Sequence, residues 1–398
     1  MNDALLKKVL RRDGSLFTAD IARHRTEISN AVENARVLVI GAAGSIGASF
    51  VRQILPFAPR ALHLVDISEN NLVEVVRDVR SSSTPVPDDL KTFAVAMGSD
   101  EFHHLLRSEK PYDYTVNFSA LKHVRSEKDP FTLMRMYNTN VLAVKRLLDA
   151  VPKRSMRKHF SVSSDKAANP ASVMGATKVF MERLLLSYAD RIPFSTARFA
   201  NVAFSDGSLL HGFLVRLRKM QPLSAPFDVK RYFISEQEAG ELCLLSCFLG
   251  KNREIFFPKL SEHDDMYTFS QIAAEVLAFH GYTPLACSSE VEARSRMTER
   301  SPSDKRWPCY FFESDTMGEK PFEEFHTADD IIDMDRFTST GIIVRAEHRD
   351  DGVKKAMDSF ERIRKKNLWS LDEMITAIRI AVPELSREEK RMNLDQKM

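Results

Sequence analysis

Arg36-Val37-Leu38-Val39-Ile40-Gly41-Ala42-Ala43-Gly44-Ser45-Ile46-Gly47 is the stretch that decides the fold. A short apolar run without polar alternation reads as a strand buried on both faces. It enters a glycine turn and then a helical pattern, which is the context that gives such a motif meaning. Gly41 lets the backbone turn sharply. Gly44 lets a pyrophosphate approach the chain, and Gly47 lets helix pack closely on strand. The free N–H groups of the helix start, from Ser45 and Ile46 to Gly47, would face the anion. The spacing is GxxGxxG rather than GxGxxG.

Outward from this stretch, short apolar runs alternate with helical patterns. Strands are predicted at 36–40, 61–65, 92–96, 113–118, 158–163 and 194–199. Helices are predicted near 45–55, 69–81, 100–107, 130–151 and 172–189. This rhythm predicts an α/β fold, a Rossmann-type doubly wound parallel sheet with its ligand at the strands' carboxyl ends. After about residue 200 the rhythm fails. Residues 204–235 mix turns, a basic helix from Leu214 to Met220 and a short extended run. Helices are predicted again at 236–250, 268–280, 352–366 and 370–382, while 299–325, rich in Pro, Ser and charge, reads as a long surface loop. Residues 1–34 read as helical, with Thr18 as a cap and Ile21, Ile28 and Val32 at roughly helical spacing. The expected division is an N-terminal helical extension (1–34), a dinucleotide-binding Rossmann domain (35–203), a smaller mixed α/β substrate-binding region (204–290) and a C-terminal loop and helical extension (291–398).

Composition sets outer limits. The 398 residues are 43% hydrophobic and 28% charged, as in an ordinary soluble globular protein, and allow two domains. A formal net charge of +2 gives no reason to expect a nucleic-acid partner. No apolar run approaches the ~20 residues of a membrane span, and the N-terminus lacks the pattern of a signal peptide. Cys243 and Cys247, one helical turn apart in an apolar stretch, read as buried thiols. No ligand set for zinc or another metal is expected. A reducing cytoplasm is the predicted compartment.

The chemistry is concentrated in Ser163-Ser164-Asp165-Lys166 and in Met174-Gly175-Ala176-Thr177-Lys178. The first closes an apolar strand with an acid beside a base. The second opens a helix carrying a further cation. Such a grouping suggests proton transfer. Asp66 ends the second strand, nineteen residues after Gly47. A carboxylate there would accept from adenine-ribose hydroxyls and repel a 2′-phosphate, so NAD is favoured over NADP; a helix cap is the competing reading. Ser119 and Ala120, small residues after the fourth strand, would let the nicotinamide-side ribose lie against the backbone. Asn140, in the next helical pattern, either shapes the site through backbone bonds or faces solvent.

GAAGSIG, FSALKHV, SSDK, NPASVMGATK, RFANV and RYF occur in that order. In this the chain resembles the extended short-chain dehydrogenase/reductases, and more narrowly the polysaccharide-biosynthesis family of UDP-N-acetylglucosamine 4,6-dehydratases. The resemblance covers about residues 35–260. It implies that the sugar's C4 hydride passes to NAD while the hydroxyl loses its proton. The 4-keto group acidifies C5, a base removes that proton, an acid helps water leave from C6, and the hydride returns to C6. By resemblance, Lys166 is the C5 base, Asp165 the acid, and Ser164 a partner of the sugar's O4. Lys178 would bond the nicotinamide ribose. Burial would move the pKa values of Asp165 and Lys166 towards neutrality, whereas pairing with each other would move them apart.

Met174 departs from the superfamily's ionisable tyrosine, and a thioether accepts no proton. Some dehydratases share this methionine, which weighs against an ordinary ketoreductase. The resemblance also places Lys122 near substrate or cofactor and Asn201 and Arg231 at the nucleotide-sugar diphosphate. Around Arg216, Arg218 and Lys219, added attraction and a solvated face are equally open, as are structural and catalytic roles for His123. A homo-oligomer, commonly a dimer built on a helix bundle, is implied. The expectation is therefore a cytoplasmic, NAD-dependent nucleotide-sugar 4,6-dehydratase serving bacterial surface glycan synthesis. A C4 or C5 epimerase and a noncatalytic NAD-binding scaffold are the alternatives.

Overall fold

The computed structural model describes residues 3–123, 127–152, 155–314, 322–346 and 351–386. In chain order the first half comprises α1 (Asp3–Leu10), α2 (Thr18–Arg23), α3 (Arg25–Val32), β1 (Arg36–Ile40), α4 (Ser45–Ile54), β2 (Ala61–Asp66), α5 (Glu69–Ser81), β3 (Asp89–Ala94), α6 (Asp100–Ser108), β4 (Tyr114–Asn117), α7 (Pro130–Tyr137), α8 (Ala143–Ala150), β5 (Lys158–Val162), α9 (Val173–Tyr188) and β6 (Phe194–Ala197). The second half comprises β7 (Asn201–Val202), α10 (Leu209–Arg218), β8 (Leu223–Pro226), β9 (Lys230–Ile234), α11 (Glu236–Leu249), β10 (Glu254–Pro258), α12 (Glu262–Asp265), β11 (Met266–Thr268), α13 (Phe269–Phe279), β12 (Thr283–Cys287), α14 (Glu290–Glu299), β13 (Arg306–Phe312), β14 (Ile332–Asp333), β15 (Thr340–Val344), α15 (Asp351–Arg364) and α16 (Leu371–Ala381).

The main sheet runs β14-β15-β10-β6-β5-β4-β1-β2-β3. From β10 to β3 every neighbouring pair is parallel. The strand order reverses direction beside β1, and ligands of such sheets sit at that crevice. Val37 to Ile40 are essentially inaccessible, as a strand covered on both faces should be. One face packs on α3, α4 and α11, and the other on α7, α8 and α9. All six predicted strands of the first two hundred residues are present, and the Rossmann-type α/β fold is as expected. β3 is displaced: it begins at Asp89 rather than 92. Asp89 is held by the Arg36 guanidinium at 2.8 Å, so an ion pair rather than apolar content sets where this edge strand starts.

Two local readings are corrected and one is refined. Thr18 is the first residue of α2, and its hydroxyl donates back to the Ser15 carbonyl (3.2 Å) instead of capping the helix. The helix expected over 130–151 forms, with a π turn at Asn138–Leu142 within it. Within 299–325, residues 306–312 form β13, the central strand of a three-stranded sheet β12-β13-β8. A proline at position 308 and charged flanks hid this strand, because proline is usually confined to sheet edges. Residues 315–321 of that stretch lie outside the described residues.

The C-terminal region does more than extend the chain. β15 pairs antiparallel with β10 and carries β14 on its far side, lengthening the main sheet. α15 and α16 then lie on α7 and α9, where Phe360 stacks on Tyr137 with ring centroids 3.7 Å apart. Asp20 of α2 is buried and accepts from the backbone of Thr338 and Ser339, tying the N-terminal helices to the approach of β15. All four cysteines are free and buried. Among the described residues, no helix is long and apolar enough to cross a membrane.

Candidate active site

The glycine turn is built by close approach. Gly41 has φ +71°, and a Cβ on it would stand 2.6 Å from the Ser119 nitrogen, so the end of β4 and the turn touch backbone to backbone. A Cβ on Gly47 would stand 2.1 Å from the Gly41 carbonyl oxygen. α4 starts after Gly44 with no side chain bonded over its first turn. Its first N–H groups therefore present partial positive charge to an anion. Asp66 braces this cradle, accepting from the Ala43 N–H at 3.0 Å and from the Ser68 N–H at 2.9 Å. The cap of α5 is Ser68, not Asp66. Each carboxylate oxygen keeps further acceptor capacity. A narrow main-chain cradle beside a braced carboxylate fits a dinucleotide's pyrophosphate and ribose.

A cleft of about 950 Å³ extends from this cradle across the carboxyl ends of the strands. Gly41, Gly44, Ser45, Ile46, Gly47 and Ala120 line the end at the glycine turn; Ser164, Asp165, Lys166, Met174 and Lys178 line its middle. Lys122, His123 and Asn201 complete the wall together with His211 and Arg216 of α10. Asp66, Ser119 and Arg231 are not on that wall. Ser119 lies one residue behind it, its N–H held by the Asn117 carbonyl oxygen of the side chain at 2.9 Å. Arg231 is buried; it donates to the Lys230 carbonyl (2.8 Å), and its other terminal nitrogen lies 3.8 Å from Glu323.

The Ser164-Asp165-Lys166 triplet is fixed by short-range bonds. The Ser163 and Asp165 nitrogens continue the β6 pairing through the carbonyls of Ala197 and Phe199. Asp165 begins a tight turn, and its Oδ1 accepts from the Ser164 hydroxyl (2.8 Å), the Lys166 N–H (2.8 Å) and Lys166 Nζ (3.2 Å). Lys166 also faces Glu323 at 3.5 Å. Burial pulls the Lys166 amine down, but the charges of Asp165 and Glu323 outweigh it, and the net shift is upward. Ser172 caps α9 and Glu127 accepts from the Met174 N–H at 2.7 Å. Gly175 rests directly on the triplet: a Cβ there would stand 2.3 Å from the Lys166 carbonyl oxygen. One turn on, Lys178 is buried, donates to the Val162 carbonyl (3.0 Å) and has its pKa lowered by burial to about 8, with Glu182 opposing.

Asn140 belongs to the structure rather than to solvent. From the π turn its side chain accepts from the Leu121 N–H (2.8 Å) and donates to the Leu121 carbonyl (3.0 Å) and to Thr177 (2.9 Å). It thus ties the loop after β4 to α9. Arg198 is locked in a buried bidentate pair with Glu182 and also donates to the Phe325 carbonyl at 2.9 Å. Glu323 was missed by sequence reasoning, because no local signal marks a carboxylate that arrives from a distant loop. Among the described residues no cluster of His, Cys, Asp and Glu could hold a metal.

A Rossmann-type sheet with this glycine cradle, followed by an SDK triplet and a lysine on α9, defines an extended short-chain dehydrogenase/reductase. Residues 37–301 match the polysaccharide biosynthesis protein family, and the chain belongs to it. An uncharacterized membrane protein of Methanocaldococcus jannaschii, MJ1061, is 31% identical over 265 residues, covering 65% of this chain and 76% of that protein. The probable polysaccharide biosynthesis protein EpsC of Bacillus subtilis is 28% identical over 305 residues, 76% of this chain but only 49% of its own length. The inverting UDP-N-acetylglucosamine 4,6-dehydratase of Campylobacter jejuni is 25% identical over 235 residues, 56% of this chain and 66% of that one. Among solved structures, Pen from Bacillus thuringiensis superposes with a TM-score of 0.63 at 19% identity, over 80% of this chain and 92% of its own. WbmF of Bordetella bronchiseptica in complex with NAD⁺ and UDP gives 0.52 at 17% identity, over 64% and 79%.

Proposed function

We propose that this chain is an NAD-dependent 4,6-dehydratase of a nucleotide sugar, with UDP-N-acetylglucosamine as its substrate and a 4-keto-6-deoxy-N-acetylhexosamine nucleotide as its product. The observation that carries the reading is the convergence of Asp165, Lys166 and Lys178 on one cleft, with a thioether at Met174 in place of a proton-accepting phenol. The family membership and the likeness to the Campylobacter jejuni enzyme support it.

NAD held along Gly41, Gly44, Ser45, Ile46 and Gly47, with Asp66 at its ribose and Ser119 and Ala120 beside the nicotinamide half, would supply a hydride acceptor that later becomes a donor, and the C4 hydroxyl proton would leave through water, since the Met174 thioether accepts none. The preference over NADP rests on the carboxylate of Asp66, which repels a 2′-phosphate. Lys122 would lie near substrate or cofactor and Asn201 at the substrate's diphosphate; both line the cleft, as does Arg216.

In the resting site the proton resides on Lys166. The reaction needs the reverse distribution, a neutral amine to take the C5 proton and a carboxylic acid to protonate the departing C6 hydroxyl. One proton moving along the 3.2 Å Nζ–Oδ1 contact supplies both. Substrate filling the cleft expels water, and desolvation favours the neutral pair. Ser164 helps by holding Asp165 in place, and Lys178, with its pKa lowered to about 8, remains a donor in either protonation state.

Purified protein given UDP-N-acetylglucosamine and NAD should yield a product lighter by one water, read by mass spectrometry and proton NMR. An unchanged mass with inverted C4 or C5 would identify an epimerase instead. Lys166→Ala should abolish wash-out of deuterium from C5; undiminished wash-out would remove Lys166 from its role.

A further inference from the structure

Glu323 lies beyond residues 37–301, in a segment that the family match does not include. Its carboxylate is nevertheless buried beside the triplet, 3.5 Å from Lys166 Nζ and 3.8 Å from the Arg231 guanidinium. The segment that brings it is anchored on its C-terminal side. Phe325 is buried against Tyr232 and Phe257, and its carbonyl accepts from the buried Arg198. Glu324 accepts from Asn169 at 3.1 Å, next to the turn that follows Lys166. Asp330 then pairs with Arg345 at 2.6 Å. Glu323 is thus held in place by the fold and not by a chance contact of a surface side chain.

We propose that Glu323 is a positioning residue for Lys166, orienting its amine and stabilising the ammonium that forms when it takes a proton from the substrate. The inference rests on the dehydratase reading. In that reaction the C5–H bond breaks, its electron pair stays on the sugar as an enolate, and a new N–H bond makes Lys166 an ammonium. Asp165 is then the protonated partner, because its proton is the one that leaves with the C6 hydroxyl as water. At this moment Asp165 offers no negative charge to Lys166, and Glu323 is the carboxylate that does. Charge developing on the base meets a fixed opposite charge, which is where electrostatic preorganisation acts most strongly. The charged groups acting on Lys166 are Asp165 on its own turn, Glu323 from the C-terminal segment and Arg231 of β9, which balances Glu323. Arg231, assigned above by resemblance to the diphosphate, is here the countercharge that keeps a carboxylate in this interior.

The test compares the full-length protein with Glu323→Gln and Glu323→Asp. Acetic anhydride labelling of Lys166 between pH 7 and 10 is read by peptide mass spectrometry, with exposed Lys91 as the internal control. In the Gln variant Lys166 should label about tenfold faster near pH 8, the size of effect that one opposite charge within 4–6 Å exerts on a pKa. The Asp variant should lie between, and it carries the test alone if the Gln variant does not fold. C5 deuterium wash-out and kcat should fall about tenfold with KM for the sugar unchanged. Identical Lys166 labelling in all three proteins overturns the proposal, and so does unchanged wash-out with altered labelling. Altered labelling in a protein that dehydrates no nucleotide sugar supports the Lys166–Glu323 coupling while removing the dehydratase reading.

Discussion

At the scale of single residues, Lys178 carries the clearest pH signature. Its folded pKa, about 8, lies below the ordinary lysine value of 10.5. The unfolded chain therefore binds more protons between those limits, and stability of the ligand-free protein from this group rises with pH across them. Below pH 8 the buried ammonium is a full liability of roughly 3 kcal/mol. Lys178→Met should consequently be stabilising at pH 7, and its advantage over the parent should shrink towards pH 10. Urea midpoints at the two pH values check this; a constant difference would mean that the amine is not desolvated. The same residue scale explains what the sequence could and could not reveal. SSDK and MGATK announce acid, base and cation by their order alone. Whether burial or pairing governs Lys166 depends on Asp165 and also on Glu323, and no spacing rule connects Lys166 to a position as distant as Glu323.

Among elements, α9 and the triplet it touches form the critical joint. Gly175 lets the helix lie directly on the Lys166 carbonyl. Gly175→Ala should force the two apart, lowering stability by about 1–3 kcal/mol and kcat by roughly a hundredfold, with the far-ultraviolet circular dichroism unchanged. Steady-state kinetics beside a denaturation curve separate the two effects. The βαβ elements were readable because buried parallel strands leave short, largely apolar runs, continuous at Val37–Ile40 and interrupted by Ser195 and Thr196 at Phe194–Ala197. β13 was not, since Pro308 sits where a central strand rarely tolerates one. β14 and β15 are short and follow a stretch rich in charge, and β15 finds its partner in the distant β10 and not in the local pattern. The π turn at Asn138–Leu142 was equally silent, being a change of hydrogen-bond register within one helical periodicity.

For the whole molecule, the decisive feature is how α15 and α16 cover α7 and α9. Phe360 is inaccessible and lies flat on Tyr137, with Met357, Ile363, Ile375 and Ile378 in the same cluster. Phe360→Ala should lower stability by about 3–5 kcal/mol, measurable by thermal or chemical denaturation, although it is far along the chain from the glycine cradle. The strand order has a consequence for synthesis. β10 borders β6 on one side and waits for β15 on the other, so a ribosome-bound chain ending before Thr340 exposes an apolar strand edge. Chaperone demand should therefore peak late in translation, and the Lys166 pocket is finished only once the chain has emerged past Glu323.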